Sequence, residues 1–229
     1  MPAPDLIALF AHVMLGTLAV IVGFIALGSR KGRKVHVSAG RVFVMSMGLA
    51  SVLGAILGAL RYETFWITFH AGILGATLVA SGVLAVRIRV RGAKRWFIAI
   101  AGLNALNATG LFIAGWIATT LPDARLFGFA AGDYFFLFGM AAISSIGDVC
   151  MTLGKEISDR HRIAQHLSRM CIGFFIAAGS AFTGPGASAF PDAVRDSGVL
   201  SLPELTIVLL MLFWLWKTLR RPRPVLANH

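Results

Sequence analysis

"LFAHVMLGTLAVIVGFIALGSRKGRK", residues 9–34, runs for twenty residues with one ionisable side chain, His12, and then delivers Arg30, Lys31, Arg33 and Lys34 within five positions. An apolar helix of about 20 residues matches the hydrocarbon thickness of a bilayer, and a basic cluster directly after it marks the flank that stays in the cytoplasm. The stretch reads as a transmembrane helix running from outside to inside. It also raises a chemical question, because an ionisable side chain at membrane depth points to function unless a partner accounts for it.

The rest of the chain follows the same pattern. Of its 229 residues 57% are hydrophobic and 14% charged, with a mean hydropathy of +0.80, whereas soluble domains carry about 25% charged residues. Apolar windows predict seven spans, at about 5–28, 38–60, 65–87, 97–119, 130–153, 166–183 and 203–219. Alternating the connectors between two sides puts eighteen of the 21 Lys and Arg on one of them, leaving Arg61, Arg125 and Arg195 on the other. The formal charge of +11 is therefore a topology signal, with the N-terminus outside and the C-terminus cytoplasmic. Nucleic-acid binding is excluded as a reading, since it needs the basic residues gathered on a water-exposed face.

Aromatic residues agree with these boundaries: Phe65 and Trp66 open the third span, Trp96 and Phe97 the fourth, and Trp214 and Trp216 close the seventh beside Lys217. No Lys or Arg precedes the first apolar run and no small-residue cleavage site follows it, so it reads as a retained span. Cys150 and Cys171 fall near the cytoplasmic ends of their spans, where reducing conditions disfavour a disulfide. The chain reads as a single membrane domain, an all-α integral bundle with a four-helix core at about 5–119 and additional spans at about 130–219. Residues 184–202, where Gly184, Pro185, Gly186 and Pro191 break any helix, form an outer loop.

Two histidines share a depth. His12 lies 18 residues before Arg30 and His70 lies 17 before Arg87, which puts both about 10 Å below the outer boundary at 1.5 Å per residue. In an up-and-down bundle the first and third helices are parallel and diagonal. Gly16, Gly72 and Gly75 leave room beside them, so a haem held by two axial imidazoles fits the spacing. The competing reading is that each histidine hydrogen-bonds a neighbouring helix, with the glycines serving close packing. Another metal, or a proton path, also suits intramembrane histidines.

A second polar layer lies at the cytoplasmic end: His36 and Arg41 in "KVHVSAGR", Asp148 and Cys150 in "SIGDVCM", and His161, His166 and Arg169 in "HRIAQHLSRM". Asp148 is expected to pair with Arg41 or Arg169 to neutralise a charge at that depth. Asn104 and Asn107 sit at mid-membrane, where they bond across helices or face a cavity. Asp133 lies near the layer of His12 and His70, placed either to orient a ligating imidazole or to sit among headgroups. No nucleophile elbow, phosphate-cradling loop or short Cys/His metal signature is present.

Two resemblances follow from these residues. The His-bearing first span, "KGRKVHVSAGRVFVM" and "HLSRMCIGFFIAAGSAFTG" resemble a bacterial family of predicted multi-pass membrane proteins with no assigned function, and the likeness covers most of the chain. Spans one to four are similar to the four-helix core of the ascorbate-dependent transmembrane cytochromes b, in which four histidines hold two haems. That resemblance implies that His12 and His70 match the outer haem pair and His36 one inner ligand. The fourth span holds no histidine, so the inner partner would have to be His166 or His161. The resemblance implies one-electron transfer by haem b, with a quinol, a metal ion or a redox protein as partner. The alternative expectation is a non-redox membrane protein, a small transporter or a subunit of a larger complex or homo-oligomer.

Overall fold

The computed structural model describes residues 3–87, 92–153 and 157–220; Arg89, Arg91, Lys155, Arg221 and Arg223, counted above toward the basic side, lie outside the described residues. Among the described residues seven helices are long and apolar enough to cross a membrane: α1 (Ala3–Gly28), α2 (Lys34–Leu60), α3 (Tyr62–Val86), α4 (Ala93–Thr120), α5 (Ala131–Leu153), α6 (Asp159–Phe182) and α8 (Leu202–Leu219), with the five-residue α7 (Asp192–Asp196) between the last two. The protein is an all-α, multi-pass membrane bundle. Large apolar side chains such as Ile7, Phe10 and Ile21 on α1 and Leu103, Leu106 and Ile113 on α4 point outward, as expected where the surroundings are lipid.

Six of the seven long described helices begin earlier than hydropathy alone places them, α5 being the exception. α6 starts at Asp159, not near 166, because the Ser158 side chain accepts a hydrogen bond from the His161 N–H and caps the helix beyond the apolar run. Sequential helices alternate in direction. His12 on α1 meets Ala50 on α2 while His36 on α2 meets Ala26 on α1, an antiparallel register. Most of the described basic residues therefore gather at one end of the bundle, here called the basic end, with Arg61, Arg125 and Arg195 at the other.

Close approach of α2 and α3 rests on glycine. A Cβ on Gly72 would stand 2.5 Å from Ala55 N and 2.6 Å from Ser51 O, and one on Gly58 would stand 2.7 Å from Phe65 O. Gly72 therefore serves helix packing in the manner of small residues at membrane interfaces, and does not leave a slot for a flat ligand.

The expected four-helix core of spans one to four is not the unit that packs. Buried residues form two main clusters, one from α1, α2, α3, α6 and α8 around Val20, Phe43, Met47, Val79, Phe174 and Ile207, the other chiefly from α3, α4 and α5 around Leu74, Leu78, Leu111, Tyr134 and Leu137, with Ile172 and Ile176 of α6 against it. α3 and α6 are common to both, and α4 packs on α3 and α5. The sixth span thus takes the place beside α1 and α3 that chain order assigned to the fourth.

At the end opposite the basic one, a hairpin of β1 (Arg125–Leu126) and β2 (Phe129–Ala130) turns through Phe127 and Gly128, both at positive φ. Tyr134 pins it by donating to Leu126 O at 2.8 Å, and Phe127 packs on Trp66 and Tyr62. Residues 184–202 are not free of helix. Short 3₁₀ turns at Pro185–Ala189 and Val199–Ser201 flank α7, because Pro185 stands in the first turn, where its missing N–H costs nothing.

Candidate functional site

Four histidines at membrane depth share one arrangement. His12 Nδ1–H donates to Ala50 O at 2.8 Å, His36 to Ala26 O at 3.0 Å, His70 to Asn107 Oδ1 at 2.7 Å, and His166 to Gly82 O at 2.9 Å. Every acceptor is a carbonyl oxygen, so in each ring Nδ1 carries the proton and Nε2 keeps its lone pair. A neighbouring helix thus sets both tautomer and ring direction, the usual support of a ligating imidazole.

Their directions decide which pair can act together. α1 and α3 both pack on α2, and His12 is turned onto α2, with its Cε1 where a Cβ on Gly54 would come within 3.0 Å. Gly72 and Gly75 of α3 also face α2. His70, two residues before Gly72 and about 200° round the helix, faces α4, where a Cβ on Gly110 would stand 2.9 Å from its Cε1. The expectation that His12 and His70 share a gap as axial ligands therefore fails. They are at like depth but at different helix interfaces, and His12 does what the competing reading assigned it, bonding α1 to α2.

His36 and His166 are brought together instead. Within the group α1–α2–α3–α6, α1 and α3 each touch both α2 and α6, so α2 and α6 are the diagonal pair. His36 near the start of α2 and His166 in the second turn of α6 lie at like depth, seven and eight residues before Phe43 and Phe174, whose rings are 5.9 Å apart. The carbonyls that orient them belong to the intervening helices, α1 and α3. His161 is not part of this pair: it is exposed and its Nδ1 lies 2.7 Å from Ser158 Oγ.

Basic side chains close the helix ends at this level. Lys31 folds back to donate to Leu27 O at 2.5 Å and lies 5.0 Å from the Trp214 ring. Burial pushes its ammonium below the usual 10.5. Arg162 donates to Ala85 O and Val86 O at the end of α3, and Arg160 to Leu219 O at the end of α8. Cations are favoured at helix C-termini.

A buried polar cluster lies beside the histidine pair. Asp148 pairs with Arg169, not with the exposed Arg41, at 3.2 Å. Its Oδ1 also accepts from Ser81 Oγ at 2.5 Å and Gln165 Nε2 at 3.0 Å, while Arg169 reaches Ser144 O at 2.6 Å and Ser144 Oγ at 3.1 Å. Asn104 and Asn107 face inward and bond across to α3, through Thr77 and His70. Asp133 orients no histidine; its Oδ2 accepts from Ala130 N. Ser81, Ser144, Gln165 and Thr77 escaped the sequence reading, although His70, Thr77 and Ser81 recur at i, i+7 and i+11 on one face of α3.

Among the described residues no group of three or more His, Cys, Asp or Glu is placed to hold a metal ion. No protein-family model, curated protein or solved structure matches the chain.

Proposed function

We propose that this is a b-type haem protein of the bacterial cytoplasmic membrane, oriented with the basic end in the cytoplasm, in which His36 and His166 hold the iron. The observation that carries the reading is the arrangement of these two rings: diagonal helices, like depth, and Nδ1–H bonds to Ala26 O and Gly82 O that leave both Nε2 lone pairs available. Two neutral imidazoles with fixed tautomers fit the donor set of a low-spin haem, and such a group, when bound, supplies one-electron oxidation and reduction. The chain's own part is to hold the rings. Ala26 O and Gly82 O set their rotation, while Lys31, Arg33 and Lys34 provide positive charge at the same end for acidic substituents.

The orientation is supported by the count of Lys and Arg. A group at the basic end exchanges electrons on that side of the bilayer, with a quinol in the membrane or a redox protein at its surface.

The test is the reduced-minus-oxidised spectrum of protein purified after expression with ample haem supply. His36→Ala and His166→Ala should each abolish the haem bands, while His12→Ala and His70→Ala should keep them. Absence of haem bands in the wild type, or bands that survive in the His36→Ala/His166→Ala double variant, would overturn the reading.

A further inference from the structure

A line of polar side chains runs through the second helix group, sharing no hydrogen bond with the rings of the histidine pair. It consists of three hydrogen-bonded islands on α3, α4, α5 and α6. At the end farther from the basic one, His70 and Asn107 exchange two bonds. In the middle, the Thr77 hydroxyl lies 2.7 Å from Asn104 Oδ1. Toward the basic end, Ser81, Asp148, Gln165, Arg169 and Ser144 form the cluster described above. His70, Thr77 and Ser81 span eleven residues of α3, about 16 Å at 1.5 Å per residue.

Each island carries one buried polar atom with no hydrogen-bond partner among the described residues: His70 Nε2, Asn104 Nδ2 and Asp148 Oδ2. Asp148, Asn104 and His70 are at most 4% exposed. A pair retained only for packing would satisfy both carboxylate oxygens, since an unpaired polar atom inside a bilayer costs several kcal/mol. Here three donors crowd Oδ1 and none reaches Oδ2. The loose atoms are two acceptors and one donor, a combination that bridging water satisfies. Thr77 is a rotor in the middle, with one proton and three oxygen acceptors at 2.7 to 2.9 Å.

We propose that α3, α4, α5 and α6 enclose a water-bridged proton relay whose two proton-holding stations are Asp148 and His70. A proton from the basic side binds Asp148 Oδ2 and converts carboxylate to carboxylic acid. It then leaves to water, which passes a proton by O–H exchange past Thr77 and Asn104, and His70 Nε2 accepts it to give the imidazolium. Release from Nε2 to water on the far side restores the neutral ring, so that one proton has moved and no electron has. Arg169 is the charged side chain that faces Asp148, joined by the neutral Ser81 from α3 and Gln165 from α6. His70 meets neutral Asn107 from α4 and the edges of Trp66 and Phe69 on its own helix. Trp66 and Phe127 cover the far end of the line.

The experiment uses the purified full chain in liposomes that enclose a pH-sensitive dye, with a potassium diffusion potential, set by valinomycin, to drive protons inward. Wild type should acidify the lumen faster than protein-free vesicles do. Asn104→Leu, which removes the middle donor without touching a charge, and Asp148→Asn/Arg169→Gln, which removes both charges of the pair together, should each lose that flux, with folding checked by elution profile and circular dichroism. Wild-type flux equal to that of empty vesicles overturns the relay. So does undiminished flux in both variants. His36 and His166 are untouched by these changes, so the haem spectrum reports separately on the other proposal.

Discussion

Asp148 and Arg169 stand 3.2 Å apart at the junction of α5 and α6, their side chains 0% and 3% exposed. Two opposite charges removed from water this completely depend on each other, because losing one leaves the other buried and uncompensated. Asp148→Asn and Arg169→Gln should each destabilise the protein by about 3–5 kcal/mol, and the double variant should recover much of the loss. Thermal denaturation in detergent measures this. Losses in the double variant equal to the sum of the two single losses would show that the pair is not coupled.

Glycine substitutions should separate by what a new methyl group meets. At Gly16 nothing lies within 4 Å, whereas at Gly58 the nearest atoms include Phe69 N and Phe65 O on the neighbouring backbone. Gly16→Ala should be neutral or stabilising by up to about 1 kcal/mol, and Gly58→Ala should cost about 1–3 kcal/mol, since backbone has no rotamer into which to retreat. Melting temperatures of the two variants in one detergent decide it. Equal shifts would contradict the α2–α3 contact.

The half-buried ammonium of Lys31 makes stability depend on pH. Its folded value lies below 10.5, so the charged form is disfavoured in the fold. That penalty is complete below the folded value and absent above 10.5, and stability should therefore rise with pH across the window between them. Lys31→Met should flatten this rise, as read from denaturation midpoints taken toward pH 10.5. A variant curve parallel to the wild-type curve would refute the assignment.

Tyr134→Phe keeps a fully buried ring and deletes the bond to Leu126 O. Hydrogen bonds inside membrane proteins average about 0.6 kcal/mol, so the global effect should be small and the local one plain. Amide exchange at Ala131, whose N–H donates to Ala124 O across the hairpin, should accelerate, while that in the middle of α5 stays unchanged. Unchanged exchange at Ala131 would mean that the hairpin does not need the phenol.

Sequence alone determined the number of apolar spans, their limits to within a few residues except at the start of α6, the gathering of most basic residues at one end, and the position of each polar side chain along its helix. These follow from hydropathy, charge and a fixed rise per residue, all of which are properties of the chain taken one helix at a time. Depth is also why His12 and His70 looked like partners. Only the tertiary structure decided which way each ring turns and which helices are neighbours: α6, not α4, completes the group with α1, α2 and α3, and so His36 and His166 share a level across that group while His70 meets Asn107. Neighbours are chosen by contacts between residues distant in the chain, such as Gly72 against Ala55 or Phe174 against Phe43. No periodicity within a single helix encodes that choice, because one face of small and apolar residues packs equally well on several others until all seven helices must be buried at once.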